Sequence, residues 1–389
     1  MRILFCHNRY AIRSGEDIAF ETACELLTRA GHDLITVVRD SRSIGEISLG
    51  RRLHLGASVV HSASAAREVS RVAIRDSPAV ALVQNVFPLL SPSIYRALAR
   101  AGVPIVQLVF NYRFLCLNGQ FFTAGAVCER CRGGNYLHGV VRRCFRGGYA
   151  ESTAYATALG IHRALGTWQR SVRRFVVPDR FLGEKLVHGG FPADRIRTVC
   201  NPFDVERYVP NYGGEGYALF VGRWIRPKGI FTLLDAAART KVKVVIAGDG
   251  EDAEGVRAHP VVRAGTVTLV GAVYGEEMER LLNRAGMVVV PSEWYDNLPM
   301  MVCQAFAAGK PVVASRINGI PEYVRDGETG LLFAPGDAAG LATSLDRLAA
   351  DEGFRLSLGR EARRTAEQLF SPGQWVAAME LVMEEAMGG

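Results

Sequence analysis

"MVVVPSEWYDNLPMMVCQAFAAGKPVVAS", residues 287–315, holds two short valine-rich runs separated by a polar loop and a helical segment. "MVVVPS" is apolar at its first four positions, which suits a strand buried on both faces. "EWYDN" reads as a loop, and "LPMMVCQAFAAG" as a helix with Pro299 in its first turn, where proline costs nothing because that N–H is unpaired anyway. The free N–H groups of that turn point at whatever approaches the helix start, favouring a phosphate or a sugar hydroxyl. Asp296 lies just before the helix and Gln304 about two turns into it, so the two can contact opposite ends of one ligand.

The alternation continues in both directions. "YALFVG", "KVKVVIAG" and "TVTLVG" precede this stretch and "GLLF" follows it, with helical patterns such as "GEEMERLLNRAG" in between. An earlier series contains "RILFCH", "DLITVV", "AVALVQ", "PIVQLVF" and "RFVVP", the first followed by the helical "DIAFETACELLTRAG". Short apolar strands alternating with amphipathic helices predict parallel sheets covered on both faces. The two series flank "NPFDVERYVPNYGGEG", so the fold class is α/β with two Rossmann-like domains facing a cleft. The expected boundaries are 1–204 for the N-terminal domain, with a Cys/Arg-rich insertion at about 116–148, and 205–215 for a linker. Residues 216–370 form the C-terminal domain and 371–389 a terminal helix. Ligands are expected in the cleft, at the carboxyl ends of the strands.

A chain of 389 residues that is 49% hydrophobic suits two domains with substantial cores. The N-terminal apolar run is too short for a secretory signal, and no stretch reaches the ~18 apolar residues of a membrane span. These features predict a cytoplasmic protein with cysteines held as reduced thiols or metal ligands. Residues 1–200 carry 27 Lys and Arg against 14 Asp and Glu, although the net charge of the chain is only +7. Arg67, Arg71 and Arg75 fall four apart, as do Arg96 and Arg100, which stacks guanidiniums on helix faces. Two readings stand: a solvated polar face, or a surface for acidic lipid, a lipid pyrophosphate or an acidic glycan that allows peripheral contact with the inner membrane face. No helix-turn-helix, finger or RNA-binding pattern is present, so nucleic acid is not an expected partner.

"AGDGEDAEG" matches two glycines of a dinucleotide loop, but Glu251, Asp252 and Glu254 would crowd a pyrophosphate, and the stretch reads as a turn. "VGRWIRPKG" is more informative. Arg223 and Lys228 leave a strand end together, and two fixed cations there suit a diphosphate leaving group. Gly319 and Ile320, at the next helix start, are candidates to offer further amides. Cys116, Cys128, Cys131 and Cys144 are spaced C-x11-C-x2-C-x12-C in a Gly/Arg-rich stretch that lacks an evident core. Structural zinc is the expected staple, with disulfides or free thiols as the alternatives.

Several stretches together resemble the family-4 retaining glycosyltransferases of GT-B fold. They are Arg223 with Lys228, the strand end at 291–292, "AAGKPVVAS", "NGIPEYVRDGETGLLF", "GED" at 15–17, "NVFPLLSP" at 85–92, "NYRFLC" at 111–116 and "CNPFD" at 200–204. The resemblance covers essentially the whole chain. It implies a nucleotide-sugar donor, UDP first, with Arg223 and Lys228 on the diphosphate and no catalytic metal. Asp296 and the amides of Asn297, Leu298, Pro299 (as the helix start) and Met300 would face the donor sugar, Gln304 the ribose, and Gly15 the donor as well. Glu16, Asn85, Phe110, Asn111 and Arg113 are the acceptor-side candidates, for a glycan, lipid-linked or small-molecule acceptor. The last helix would cross back to the N-terminal domain. Where the family carries Glu-x7-Glu this chain has Asp296 and Gln304, and Gln84 and Phe110 stand where histidines are frequent. These departures open the alternative of a catalytically silent homologue that binds a sugar nucleotide or stabilises a partner enzyme.

Overall fold

The computed structural model describes residues 1–44, 56–297 and 299–388. They form two compact units, one of Met1–Phe121, Cys128–Phe203 and Gly373–Gly389, the other of Phe122–Val127 and Asp204–Pro372.

In the first unit the strands are β1 (Arg2–Arg9), β2 (Asp33–Asp40), β3 (Val80–Val83) and β4 (Ile105–Leu108). A small antiparallel hairpin that belongs to the second unit, β5 (Phe122–Thr123) with β6 (Ala126–Val127), interrupts the series, and β7 (Val172–Val177) and β8 (Ile196–Thr198) complete it. The main sheet runs β2-β1-β3-β4-β7-β8 and every neighbouring pair is parallel. The second unit repeats the plan with β9 (Ala218–Val221), β10 (Val244–Ala247), β11 (Val267–Gly271), β12 (Met287–Val290), β13 (Val312–Ser315) and β14 (Gly330–Phe333). Its order is β11-β10-β9-β12-β13-β14, again all parallel. In each sheet the chain reverses its direction of travel once, between β1 and β3 in the first and between β9 and β12 in the second. Loops diverge at such a point and leave a crevice at the strand ends.

Each apolar run read as a strand is one. The sequence reading missed β8, whose three residues "IRT" form a partly exposed edge without an apolar run. The glycines of "AGDGEDAEG" serve close packing, as a turn would. A Cβ on Gly248 would lie 1.9 Å from the Gly222 carbonyl oxygen.

The helix Gly15–Arg29 starts with a reciprocal cap, in which Ser14 and Asp17 satisfy each other's backbone N–H groups. It packs Phe20, Leu26 and Leu27 onto Ile3 and Phe5 of β1. The final helix, Pro372–Met387, adds Trp375, Met379, Val382 and Met383 to this same core. At its far end Glu385 accepts from Arg174 of β7 and Arg197 of β8, both at 2.8 Å.

The insertion corrects one expectation. Among the described residues no group of three or more His, Cys, Asp or Glu is placed to hold a metal ion, so the structure gives the expected four-thiolate zinc site no support. None of the four cysteines is in a disulfide. Burial pushes the Cys131 thiol up to about 12, and the Cys116 thiol donates to Asn118 Oδ1 at 3.0 Å. The segment also has the core that the sequence reading denied it. Leu115, Leu117, Phe121, Cys131 and Tyr136 are buried, and Tyr136 Oη donates to the Phe114 carbonyl at 2.9 Å. Glu129 ties the segment down through Arg132 and Lys185.

Lys310 is completely buried in the second unit and donates to the carbonyls of Gly213 (2.6 Å) and Asn283 (2.8 Å). Burial, helped by the charge of Arg355, lowers its pKa to about 8. An unfolded chain would hold that proton up to about 10.4, so from about pH 8 upward the unfolded state binds more protons and stability rises with pH. The gain should reach at most about 3 kcal/mol. The urea midpoint of wild type should therefore climb from pH 8 to 10 relative to Lys310→Met; parallel profiles would refute the titration. No helix among the described residues is long and apolar enough to cross a membrane.

Candidate functional site

The switch point of the second sheet gathers the strongest chemistry. After β9, the segment 222–229 carries Arg223 and Lys228 and ends at Gly229, which is left-handed (φ +71°) and starts the helix Ile230–Ala237. After β12 come Ser292, Glu293, Trp294 and Asp296. The two segments are joined by backbone, since Glu293 N donates to the Pro227 carbonyl at 2.8 Å. Lys228 Nζ donates to Asp296 Oδ2 at 2.5 Å and lies 5.7 Å from the Trp294 ring. Ser292 Oγ donates to the same carboxylate oxygen at 3.1 Å. Asn318 Nδ2 donates to the Asp296 carbonyl, which draws in the loop after β13. Asp296 is buried but has both a cation and a hydroxyl, so its charge is matched. Arg223 is exposed, and its side chain makes no ion pair with any described residue.

The structure thus brings together Lys228, Asp296 and the loop before Gly319. Pro299 immediately precedes the helix Met300–Ala307 and caps it, so the helix starts one residue later than the proline reading placed it. Leu298 lies outside the described residues. Gln304 is half-buried and its side chain hydrogen-bonds Tyr208. The expected free amide at Ile320 is a correction: its N–H donates to the Ile317 carbonyl and to Asn318 Oδ1, both at 3.2 Å. Gly319 caps a helix of only four residues, Ile320–Tyr323, too short for a strong terminal field. Sequence reasoning missed Ser292, Asn318 and Tyr208, because each acts through a partner made local only by the fold.

In the first unit a small cleft, partly open to solvent, lies where β1, β3 and β4 end. Its lining includes Glu16, Gln84, Asn85, Phe110, Asn111 and Arg113. Glu16 Oε2 accepts from Tyr10 Oη at 2.9 Å and its Oε1 from Asn111 Nδ2 at 2.7 Å, while Gln84 Nε2 donates to the Glu16 carbonyl at 2.7 Å. Asn85 Nδ2 donates to the Asn8 carbonyl at 2.7 Å and locks β3 to β1. The Arg113 guanidinium lies 4.8 Å from the Tyr10 ring. Gly15 belongs to this unit too, as the first residue of its helix. Behind the cleft, His7 Nε2 and Asp17 Oδ1 are 3.0 Å apart and both are buried, with His7 stacked on Phe20 at 4.6 Å. Burial would raise the Asp17 pKa, but hydrogen bonds from His7, Ser14 and Tyr10 outweigh it and hold the carboxyl below its usual value.

Residues 215–351 match the family model described as "Glycosyl transferases group 1". An uncharacterized glycosyltransferase of Methanocaldococcus jannaschii is 29% identical over 208 residues, covering 46% of this chain and 51% of its own. Glycogen synthase of Mycobacterium tuberculosis is 33% identical over 171 residues, covering 42% of this chain and 40% of its own. The chain therefore spans about half or less of the curated relatives it matches. Among solved structures, Anabaena HepE in complex with UDP is similar with a TM-score of 0.68 at 16% identity, over 99% of this chain and 100% of that one. The fold is GT-B, built from two parallel-sheet α/β units of Rossmann type.

Proposed function

We propose that the protein is a family-4 retaining glycosyltransferase that moves a sugar from a nucleotide diphosphate, UDP favoured, to a hydroxyl of a glycan, lipid-linked or small-molecule acceptor. The observation that carries this reading is the Lys228–Asp296 pair at the switch point of the second sheet, with the unpaired Arg223 in the same segment. The UDP bound to HepE supports the choice of nucleotide. As the bond from the anomeric carbon to the phosphate oxygen breaks, negative charge collects on the diphosphate, where two fixed cations stabilise it most. The acceptor hydroxyl attacks from the face the diphosphate leaves, and its proton passes to the departing phosphate oxygen, which retains the configuration. The first unit, with Glu16, Asn111 and Arg113 in its cleft, is the acceptor side of this reading.

A catalytically silent sugar-nucleotide binder is the second reading. One observation favours it: Asp296 is already engaged by Lys228 and Ser292, and Gln304 by Tyr208. A panel of UDP-, GDP- and dTDP-sugars separates the two. Slow donor hydrolysis supports the transferase; a melting shift without turnover supports the binder; neither effect with any donor defeats both.

Contact with the cytoplasmic face of an acidic membrane belongs to the same proposal. Arg67 and Arg71 on the helix Ala63–Asp76, and Arg96 and Arg100 on the helix Ser93–Arg100, are exposed and make no ion pair among the described residues. Ile74 beside them is 74% exposed. Arg75 is neutralised by Asp76 at 2.5 Å, so it drops out of the patch. Each basic residue near an anionic bilayer is worth ~1 kcal/mol, so the double change Arg67→Ser, Arg71→Ser should weaken co-sedimentation with phosphatidylglycerol vesicles by roughly tenfold or more. Unchanged partitioning would remove the membrane from the account.

A further inference from the structure

The cleft of the first unit holds a cation whose counter-ion the protein does not supply. Arg113 lines that cleft, half-buried, with its guanidinium resting on the Tyr10 ring. No carboxylate among the described residues pairs with it. Its nearest acid by charge interaction is Glu16, whose two oxygens are taken by Tyr10 Oη and Asn111 Nδ2. The arrangement is built, because the Arg113 stem passes over Gly119 (φ +70°), where an added Cβ would fall 2.7 Å from Arg113 Cγ. One deeply buried polar atom in the cleft lining, Gln84 Oε1, also lacks a protein partner. A half-buried cation without a counter-ion is costly, as is an unpaired buried acceptor. A ligand carrying an oxyanion would satisfy Arg113, and a neighbouring sugar hydroxyl could donate to Gln84 Oε1.

We propose that the acceptor of this enzyme is an anionic, hydroxyl-bearing molecule whose carboxylate or phosphate is bound by Arg113 in the first-unit cleft. The proposal rests on the reading of the first unit as the acceptor side. It differs from the membrane patch, whose arginines lie on other elements.

The test uses the full chain saturated with UDP, which occupies the cations of the second unit. Calorimetric titration compares D-glucuronate with its neutral amide, D-glucuronamide, and D-glucose 6-phosphate with D-glucose. The expected result is at least tenfold tighter binding of one charged probe than of its neutral counterpart, and the probe that wins distinguishes a carboxylate from a phosphate acceptor. Arg113→Gln should erase the preference, Arg113→Lys should keep most of it, and neither should change UDP affinity more than twofold. Equal binding of charged and neutral probes, no binding of any probe, or a preference that survives Arg113→Gln would overturn the proposal. So would a tenfold loss of UDP affinity in Arg113→Gln, which would put the guanidinium on the donor diphosphate. Should that variant not fold, the wild-type comparison decides alone, and Gly119→Ala, which displaces the Arg113 stem, repeats the loss. Failure of UDP itself to bind counts against the transferase reading instead, and the probes titrated without UDP still test the cleft.

Discussion

Lys228→Ala should lower turnover of the preferred sugar nucleotide by about a hundredfold or more while leaving most of the protein folded. Removing one preorganised donor from a developing anion commonly costs ~10²–10³ in kcat. Lys228 is the better placed of the two cations to show such an effect, because its position is fixed by Asp296 at 2.5 Å. Its loss also strips the buried Asp296 of its cation, leaving Ser292 as the partner. A structural role and a chemical role therefore make different demands. If the pair only holds two loops together, Asp296→Asn and Lys228→Ala should cost similar stability, and activity should track the folded fraction. If Lys228 meets the leaving group, kcat must fall far more than the melting temperature does. Retention of more than a tenth of wild-type kcat in Lys228→Ala would refute its role with the diphosphate.

The second large effect is expected one residue later. A Cβ on Gly229 would sit 1.7 Å from the Pro291 carbonyl oxygen and 2.6 Å from its carbon. Both are backbone atoms at the end of β12, so no side chain can rotate away. The φ of +71° adds strain of about 1–2 kcal/mol for any L side chain. Gly229→Ala should destabilise the second unit by roughly 4 kcal/mol, beyond the usual range for a surface change, and should separate Lys228 from Asp296. Gly327 is the natural control. Its φ is +78°, yet nothing lies within 4 Å of its Cβ position, so Gly327→Ala should show the strain alone. Similar midpoints for the two variants in urea would contradict the steric argument.

The strand–helix alternation was legible because parallel strands buried on both faces are apolar along their whole length, as "MVVV" and "ALFV" show. The edge strand Ile196–Thr198 escaped because a half-exposed edge needs no such run. The insertion misled for a related reason. Its many Gly and Arg residues hide the few that pack, namely Leu115, Leu117, Phe121 and Tyr136, which are too scattered to show a period. At the site, Arg223, Lys228 and Asp296 were visible as residue types at strand and helix ends. What sequence could not show is that Lys228 and Asp296, 68 positions apart, bind each other. Nor could it show that Tyr208, at the end of an irregular segment, occupies Gln304. Lys310 was read only as part of a motif; its burial depends on carbonyls from residues 213 and 283.

The last helix has a consequence for synthesis. Trp375, Met379, Val382 and Met383 are buried with Ile3 and Phe5, so the strand that carries Ile3 and Phe5 waits for a helix made about 370 residues later. Residues 204–372 must emerge in the meantime. At about 5–20 residues per second that interval lasts roughly 10–30 seconds, during which the apolar floor of the first sheet lacks its cover. A nascent chain in that condition is a natural client for a chaperone that shields apolar surface, and the second unit, contiguous in translation but for the short hairpin, can finish folding first.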